Sequence, residues 1–198
     1  MWKLGKSYFM HTFHINGFLL ISSLLLLLVL VTFKMIGAFL RADTNSSVIE
    51  YAKFLYKVAD VVSKLLEGMT AVSFLLLLML VVPEIVTRVS KDSLGNWFKS
   101  IWVSHRLRRF LVRQTDHEGE GVLKIQQHNR SIRKSVIDIR NKKITYLVKL
   151  PNDMQAQKLI LEAKEILREE ISSRFPDYTF SNFERYKHWL RIEGTNMR

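Results

Sequence analysis

Two apolar blocks dominate the pattern of the chain. The first, "INGFLLISSLLLLLVLVTF" at residues 15–33, has no charged side chain; the second, "GMTAVSFLLLLMLVVPEIV" at 68–86, has none before Glu84. Each is long enough for the roughly 17 to 25 residues that a spanning helix requires, so transmembrane helices are expected over 15–40 and 68–86. Pro83 lies near the end of the second block, where a missing amide and a ring clash disturb least of the helix. A cleaved signal peptide fits the first block poorly. Its apolar run is long, and "FKMIGAFLRAD" offers only a weak small-x-small site.

Between the blocks, Val48, Tyr51, Leu55, Val58, Val62 and Leu65 recur at helical spacing. They predict an external amphipathic helix over 41–67, lying on the membrane or continuing the second span outward. After the second block, "DSLGNWFKSIWVSHRLRRFLVRQ" intersperses Leu94, Phe98, Ile101, Trp102 and Phe110 with basic residues, which predicts a juxtamembrane helix over 87–113. "TDHEGEG" breaks that pattern, and 114–121 reads as a linker.

The remainder, 122–198, changes period. "SVIDIRN" alternates, Asn141, Lys142 and Lys143 turn the chain, and "ITYLVKL" runs back to Pro151, which reads as a hairpin. One helix follows in "PNDMQAQKLILEAKEILREEISSRF", with capping-box spacing at Asn152 and Gln155 and a stripe of Ala156, Leu159, Ile160, Ala163, Ile166, Leu167 and Ile171. "YTFSNFE" and "HWLRIEG" then alternate as two strands. Strict alternation puts Tyr178, Phe180 and Asn182 on one face and Thr179, Ser181 and Phe183 on the other. The expected fold class is thus an α+β membrane protein: a two-helix transmembrane hairpin, a juxtamembrane helix and a small ββαββ cytoplasmic domain whose helix stripe covers an antiparallel sheet.

Charge adds orientation. The chain has 30 Lys plus Arg against 18 Asp plus Glu. Lys3 and Lys6 precede the first span, within a short N-terminus at 1–14, and a dense run from Arg88 to Arg113 follows the second. By the positive-inside bias both termini are expected in the cytoplasm, in a multi-pass protein of the cytoplasmic membrane. Arg41, Lys53, Lys57 and Lys64 in the intervening segment are too few to reverse this, and Lys34 is placed to snorkel to the interface.

Candidate chemistry is sparse. There is no cysteine, hence no disulfide, thiolate ligand or cysteine nucleophile. No GxxxxGK[ST] loop, GxSxG elbow, HExxH helix or paired zinc ligands occur. His11 and His14 lack a third ligand, and Glu169 and Glu170 diverge around their helix. A non-enzymatic protein without cofactor is expected. The functional candidates are basic and aromatic. Trp97, Trp102, Arg106, Arg108, Arg109 and Arg113 suit a membrane surface. Arg130, Arg133, Lys134, Arg140, Lys142 and Lys143 suit a nucleic-acid backbone, anionic lipid or simple solvation. Arg185, Lys187, Trp189 and Arg191 form an exposed hairpin edge suited to protein docking.

Taken together, the short N-terminus, the two spans, the basic juxtamembrane helix and "KLPNDMQAQKLILEAKEILREEISSRFPDYTFSNFERYKHWLRIEGT" resemble the membrane-anchored N-terminal region of FtsK/SpoIIIE-like coupling proteins of Gram-positive conjugative elements. In that family a motor ATPase follows the membrane region and moves DNA. The motor's nucleotide-binding motifs are missing here, so the resemblance implies only anchoring and docking: an accessory subunit placing a DNA translocase or relaxosome at the membrane in conjugative transfer. The expected partners are membrane lipid, a complex including a motor ATPase or transfer machinery, DNA bound weakly and without sequence preference, and further copies of the chain through the Ser22–Ser23 contact. The alternative is a membrane adapter or regulator binding a cytoplasmic protein, unrelated to DNA.

Overall fold

A computed structural model describes residues 6–42, 49–114 and 121–197. Val48 of the predicted external stripe and residues 115–120 of the predicted linker lie outside the described residues. Six helices and five strands are formed among those described: α1 (Tyr8–Ala42), α2 (Ile49–Lys91), α3 (Leu94–Leu111), α4 (Val122–Ile132), β1 (Val136–Ile139), β2 (Lys143–Lys149), α5 (Met154–Glu162), α6 (Lys164–Arg174), β3 (Tyr178–Phe180), β4 (Glu184–Tyr186) and β5 (Trp189–Asn196). The architecture is α+β, with two helices long and apolar enough to cross a membrane and one small antiparallel sheet. The chain divides into two compact units, Thr12–Pro83 and the described residues up to His11 together with those from Glu84 onward.

In the unit Thr12–Pro83, α1 and α2 pack antiparallel along a seam with the 3-4 spacing of a coiled coil. Buried or half-buried positions recur at that spacing as Thr12, Asn16, Leu19, Ser23, Leu26, Leu30, Phe33 and Gly37 on α1, and as Ala59, Ser63, Leu66, Thr70, Ser73, Leu77 and Leu80 on α2. Small residues let the backbones approach: the Ser23 and Ser73 hydroxyls hydrogen-bond at 2.7 Å, and a Cβ on Gly37 would sit 4.0 Å from that of Ala59. Tyr51, Leu55, Val58 and Leu65 of the predicted amphipathic stripe point outward instead. The segment predicted to be external falls in the first half of α2, where Ala59 and Ser63 form the packed face and Gly37 of α1 lies opposite Ala59. Lys34 pairs with Glu67.

In the other unit the strands run in the order β1-β2-β5-β3, with β4 also on β5. Ile137 and Ile139, Ile144, Tyr146 and Val148, Leu190 and Ile192, and Phe180 point to one face and are buried. Ile160, Leu167 and Ile171 of α5 and α6 belong to the same core. The row Ile139, Ile144, Gly194, Phe180 crosses four strands. Gly194 is required there, because a Cβ would lie 2.5 Å from Cε1 of Phe180.

Four features correct the expected ββαββ domain. First, α4 precedes the hairpin, its amphipathic face burying His128, Ser131 and Ile132. Second, the single helix is two. At Ala163 the backbone opens to φ −77°, ψ −8°, away from the helical ψ near −42°; Ile166 of the predicted stripe is exposed while Leu161 packs against the core. Third, the cap is Asp153 rather than Asn152, its Oδ1 accepting from the Ala156 amide at 2.8 Å. Fourth, the first tail strand is bulged. Tyr178 pairs with Asn196 and Phe180 with Gly194, but Glu184 pairs with Arg191, a register displaced by one residue. The extra residue turns Phe183 onto the side of Phe180, against the core, because a bulge breaks the two-residue alternation.

Candidate functional site

Helix α3 is built with two faces. Val103, Leu107 and Leu111 enter the core beneath the sheet, which makes the predicted juxtamembrane helix part of the α+β unit. Beside them Asn96, Ser100, Ser104 and Arg108, four residues apart, run antiparallel to β1 at two-residue steps. Asn96 Nδ2 donates to Asn141 Oδ1 at 2.7 Å. Ser100 Oγ accepts from the Ile139 amide at 2.9 Å, and Ser104 Oγ from the Ile137 amide at 3.1 Å. Arg108 Nε and Nη2 donate to the Ser135 carbonyl at 2.8 and 2.6 Å. The match is metric, since four helical residues advance about 6 Å and two strand residues about 6.7 Å. The helix closes an edge that would otherwise present unpaired amides.

The end of α2 meets the same edge through a buried charge cluster. Arg88 is completely buried. Its Nε donates to Glu84 Oε1 at 2.7 Å, its Nη1 to Asp92 Oδ2 at 2.6 Å and to the Ile139 carbonyl at 2.7 Å, and its Nη2 to Asp138 Oδ1. Glu84, Arg88 and Asp92 share a helical face by their four-residue spacing. Asp92 Oδ1 accepts from the Asn141 amide at 2.9 Å and from Asn96 Nδ2 at 2.8 Å. Burial opposes ionisation of Asp92, but these donors and the Arg88 guanidinium outweigh it and hold the carboxyl below its ordinary value. The Phe9 ring lies 5.5 Å from the guanidinium carbon. With four of five donors engaged, Arg88 is a clamp between the end of α2 and β1, while Asp92 holds the β1–β2 turn at Asn141, and the cluster's chemistry is positional. Among the described residues no group of three His, Cys, Asp or Glu is placed to hold a metal.

The sequence-selected cations divide. Arg130 and Lys134 line a cleft of about 370 Å³ together with Lys149. Arg133 lines a second, of about 460 Å³, with His105, Arg108 and Arg109. Burial pushes Arg108 down to about 10, and burial followed by the Arg108 charge keeps His105 below its ordinary value. Arg140, Lys142 and Lys143 sit apart at the hairpin turn, where Arg140 pairs with Asp138 at 3.0 Å and Lys143 with Glu193 at 2.5 Å. On the outer face of α3, Trp102 is exposed beneath the Arg106 guanidinium, 5.1 Å from its ring. Arg109 and Arg113 are exposed, whereas Trp97 is half-buried against Phe98. At the tail, Lys6 Nζ covers the Trp189 ring at 3.3 Å, Arg191 pairs with Glu193, and Arg185 Nη2 donates to Gln157 Oε1 at 3.0 Å. Lys187, at φ 53°, turns β4 into β5.

The Arg88 cluster and the α3 ladder were missed in the sequence. Their only signals are the spacings Glu84–Arg88–Asp92 and Asn96–Ser100–Ser104–Arg108, whose partners are roughly 30 to 50 residues away. Fold and site together define two helices long and apolar enough to cross a membrane and an α+β unit with one small antiparallel sheet. Comparison with family models, with curated proteins and with solved structures finds no match.

Proposed function

We propose that this chain is a non-enzymatic, membrane-anchored docking subunit, a multi-pass protein with both termini in the cytoplasm. What supports the reading is the Arg88 clamp at the end of α2: two of the guanidinium's four buried hydrogen bonds go to Glu84 and Asp92 beside it, and two reach β1, at Asp138 and the Ile139 carbonyl. The junction ties the last turn of α2 into the folded α+β unit, as a docking domain carried on that helix requires. The apolar outward surfaces of α1 and α2 suit lipid rather than water, and the basic residues after the second span orient the pair. The partner implied by the resemblance to coupling proteins is a motor ATPase or relaxosome of DNA transfer.

The test is a C-terminally tagged full chain captured from native membranes, paired with a topology reporter fused after Arg198. A reporter that behaves as internal and co-capture of a motor ATPase support the reading. An external reporter overturns the topology, and capture of an unrelated cytoplasmic regulator replaces DNA transfer with the adapter reading.

A further inference from the structure

The clefts that Arg130, Arg133 and Lys134 line between them raise the question of what the basic side of the domain holds. Residues 94–114 and 121–135 contain nine Lys and Arg and no Asp or Glu; the intervening 115–120, with Asp116, Glu118 and Glu120, lies outside the described residues. Neither cleft is lined by a carboxylate. Among the described residues, Arg109, Arg130 and Arg133 form no ion pair, in contrast to Arg140 and Lys143 at the hairpin turn. Among the described residues, cations without an ion pair therefore gather on the α3–α4 side, whereas Arg140 and Lys143 at the turn are paired.

The other property of this side is apolar. On the helix that supplies Arg108 and Arg109, Phe98 is 61% and Trp102 59% exposed, with Leu94 and Phe110 also outward. Viewed down α3, Phe98, Trp102 and Arg109 share the face opposite Val103 and Leu107. The phosphate backbone of a duplex offers no partner to exposed Leu and Phe beside the cations, whereas the headgroup region of a bilayer takes both together. Leu94 follows the last apolar residue of the second span, Val86, by eight residues, so the chain keeps α3 within about 28 Å of it.

We propose that the α3–α4 side is a binding site for the phosphate of an anionic phospholipid, with Arg109 and Arg133 contacting the headgroup in the larger cleft and Phe98 and Trp102 entering the interface beside it. This rests on the membrane-anchored reading but names its ligand. The site would fix the docking domain against the bilayer by a second contact besides the spans.

The test uses the purified full chain in neutral detergent, titrated with dioctanoyl phosphatidic acid, dioctanoyl phosphatidylcholine, inorganic phosphate and a DNA duplex, with tryptophan fluorescence as readout. Phosphatidic acid is expected to bind tightest, and the R109Q/R133Q variant to weaken it about 30-fold, the effect of losing two cations near an anionic surface. K142Q, at the hairpin turn, is expected to leave it unchanged. Equal binding of phosphatidylcholine removes the electrostatic site. Inorganic phosphate binding as tightly as the lipid, or DNA binding more tightly, overturns the lipid assignment. Loss of affinity in K142Q equal to that in R109Q/R133Q overturns the location. Both arginines are solvent-accessible at their side chains, and unchanged thermal midpoints verify that the variants fold. The topology reporter is independent of this titration, so failure of the anchored reading and failure of the lipid site are separable.

Discussion

Replacing Arg88 by Met tests the clamp most directly. The substitution keeps an unbranched side chain of similar length but deletes all four hydrogen bonds. It strands Glu84, Asp92 and Asp138, whose side chains are only 2%, 3% and 4% exposed. Removing one partner from a buried ion pair costs about 3–5 kcal/mol, mostly from the uncompensated charge left behind, against a total domain stability of about 5–15 kcal/mol. For a unit of this size that converts to a fall of roughly 10–20 °C in the unfolding midpoint. The assay is thermal unfolding of the full chain in detergent, followed by tryptophan fluorescence, because Trp97, Trp102 and Trp189 all lie in the sheet-containing unit. R88K is expected to restore little, since an ammonium group presents three donors from one point and the cluster uses a planar fork of four. R88M/D138N is expected to recover part of the loss by removing one stranded charge. A midpoint within about 3 °C of the native protein's for R88M would refute the reasoning, as would a D138N effect that simply adds to it.

Three further outcomes follow from the same geometry. S100A and S104A each leave a buried β1 amide without its acceptor, at about 1–3 kcal/mol; hydrogen exchange at Ile139 and Ile137 respectively is expected to accelerate, and unchanged protection would dissolve the ladder. G194A forces a Cβ to 2.5 Å from Phe180 and is expected to lower stability by about 1–3 kcal/mol in denaturant unfolding, whereas G121A, whose Cβ meets nothing within 4 Å, is expected to show no comparable loss. His128 is fully buried, with Nε2 at 3.1 Å from the Leu111 carbonyl. Burial lowers its affinity for a proton, the Leu111 carbonyl partly offsets this, and the Arg113 charge adds to the lowering. Its folded value thus lies below the unfolded one near 6.5, and the unfolded chain binds the extra proton. Stability is expected to be complete above about pH 6.5 and to decline below it. H128Q should flatten that decline, and a pH profile identical in both proteins would exclude His128 as its source.

Hydropathy alone carried much of the architecture. Two apolar blocks mark the long helices, because a run of that length and hydropathy satisfies its backbone internally only as a helix when its surface is apolar. Alternation around Asp138 and Tyr146 marks β1 and β2, since period two is a local property of extended chain. The basic character of residues 88–113 is likewise written in the composition. Tertiary structure decided which of these local patterns face one another. The stripe at Tyr51, Leu55 and Val58 has the right period for a buried face, yet Ala59 and Ser63 pack because close approach of two helices favours small residues. Phe183 reads as facing away from Phe180 until a one-residue bulge turns it inward, and a bulge depends on the partner strand. Arg88, Arg108 and Arg140 read alike as members of a basic run, but burial and long-range partners make the first a clamp, the second an edge cap and the third a half-neutralised surface charge. The physical reason is that periodicity and propensity are set by neighbours in sequence, whereas burial and ion pairing are set by residues 27 to 51 positions away, as Arg108 to Ser135 and Arg88 to Ile139 illustrate.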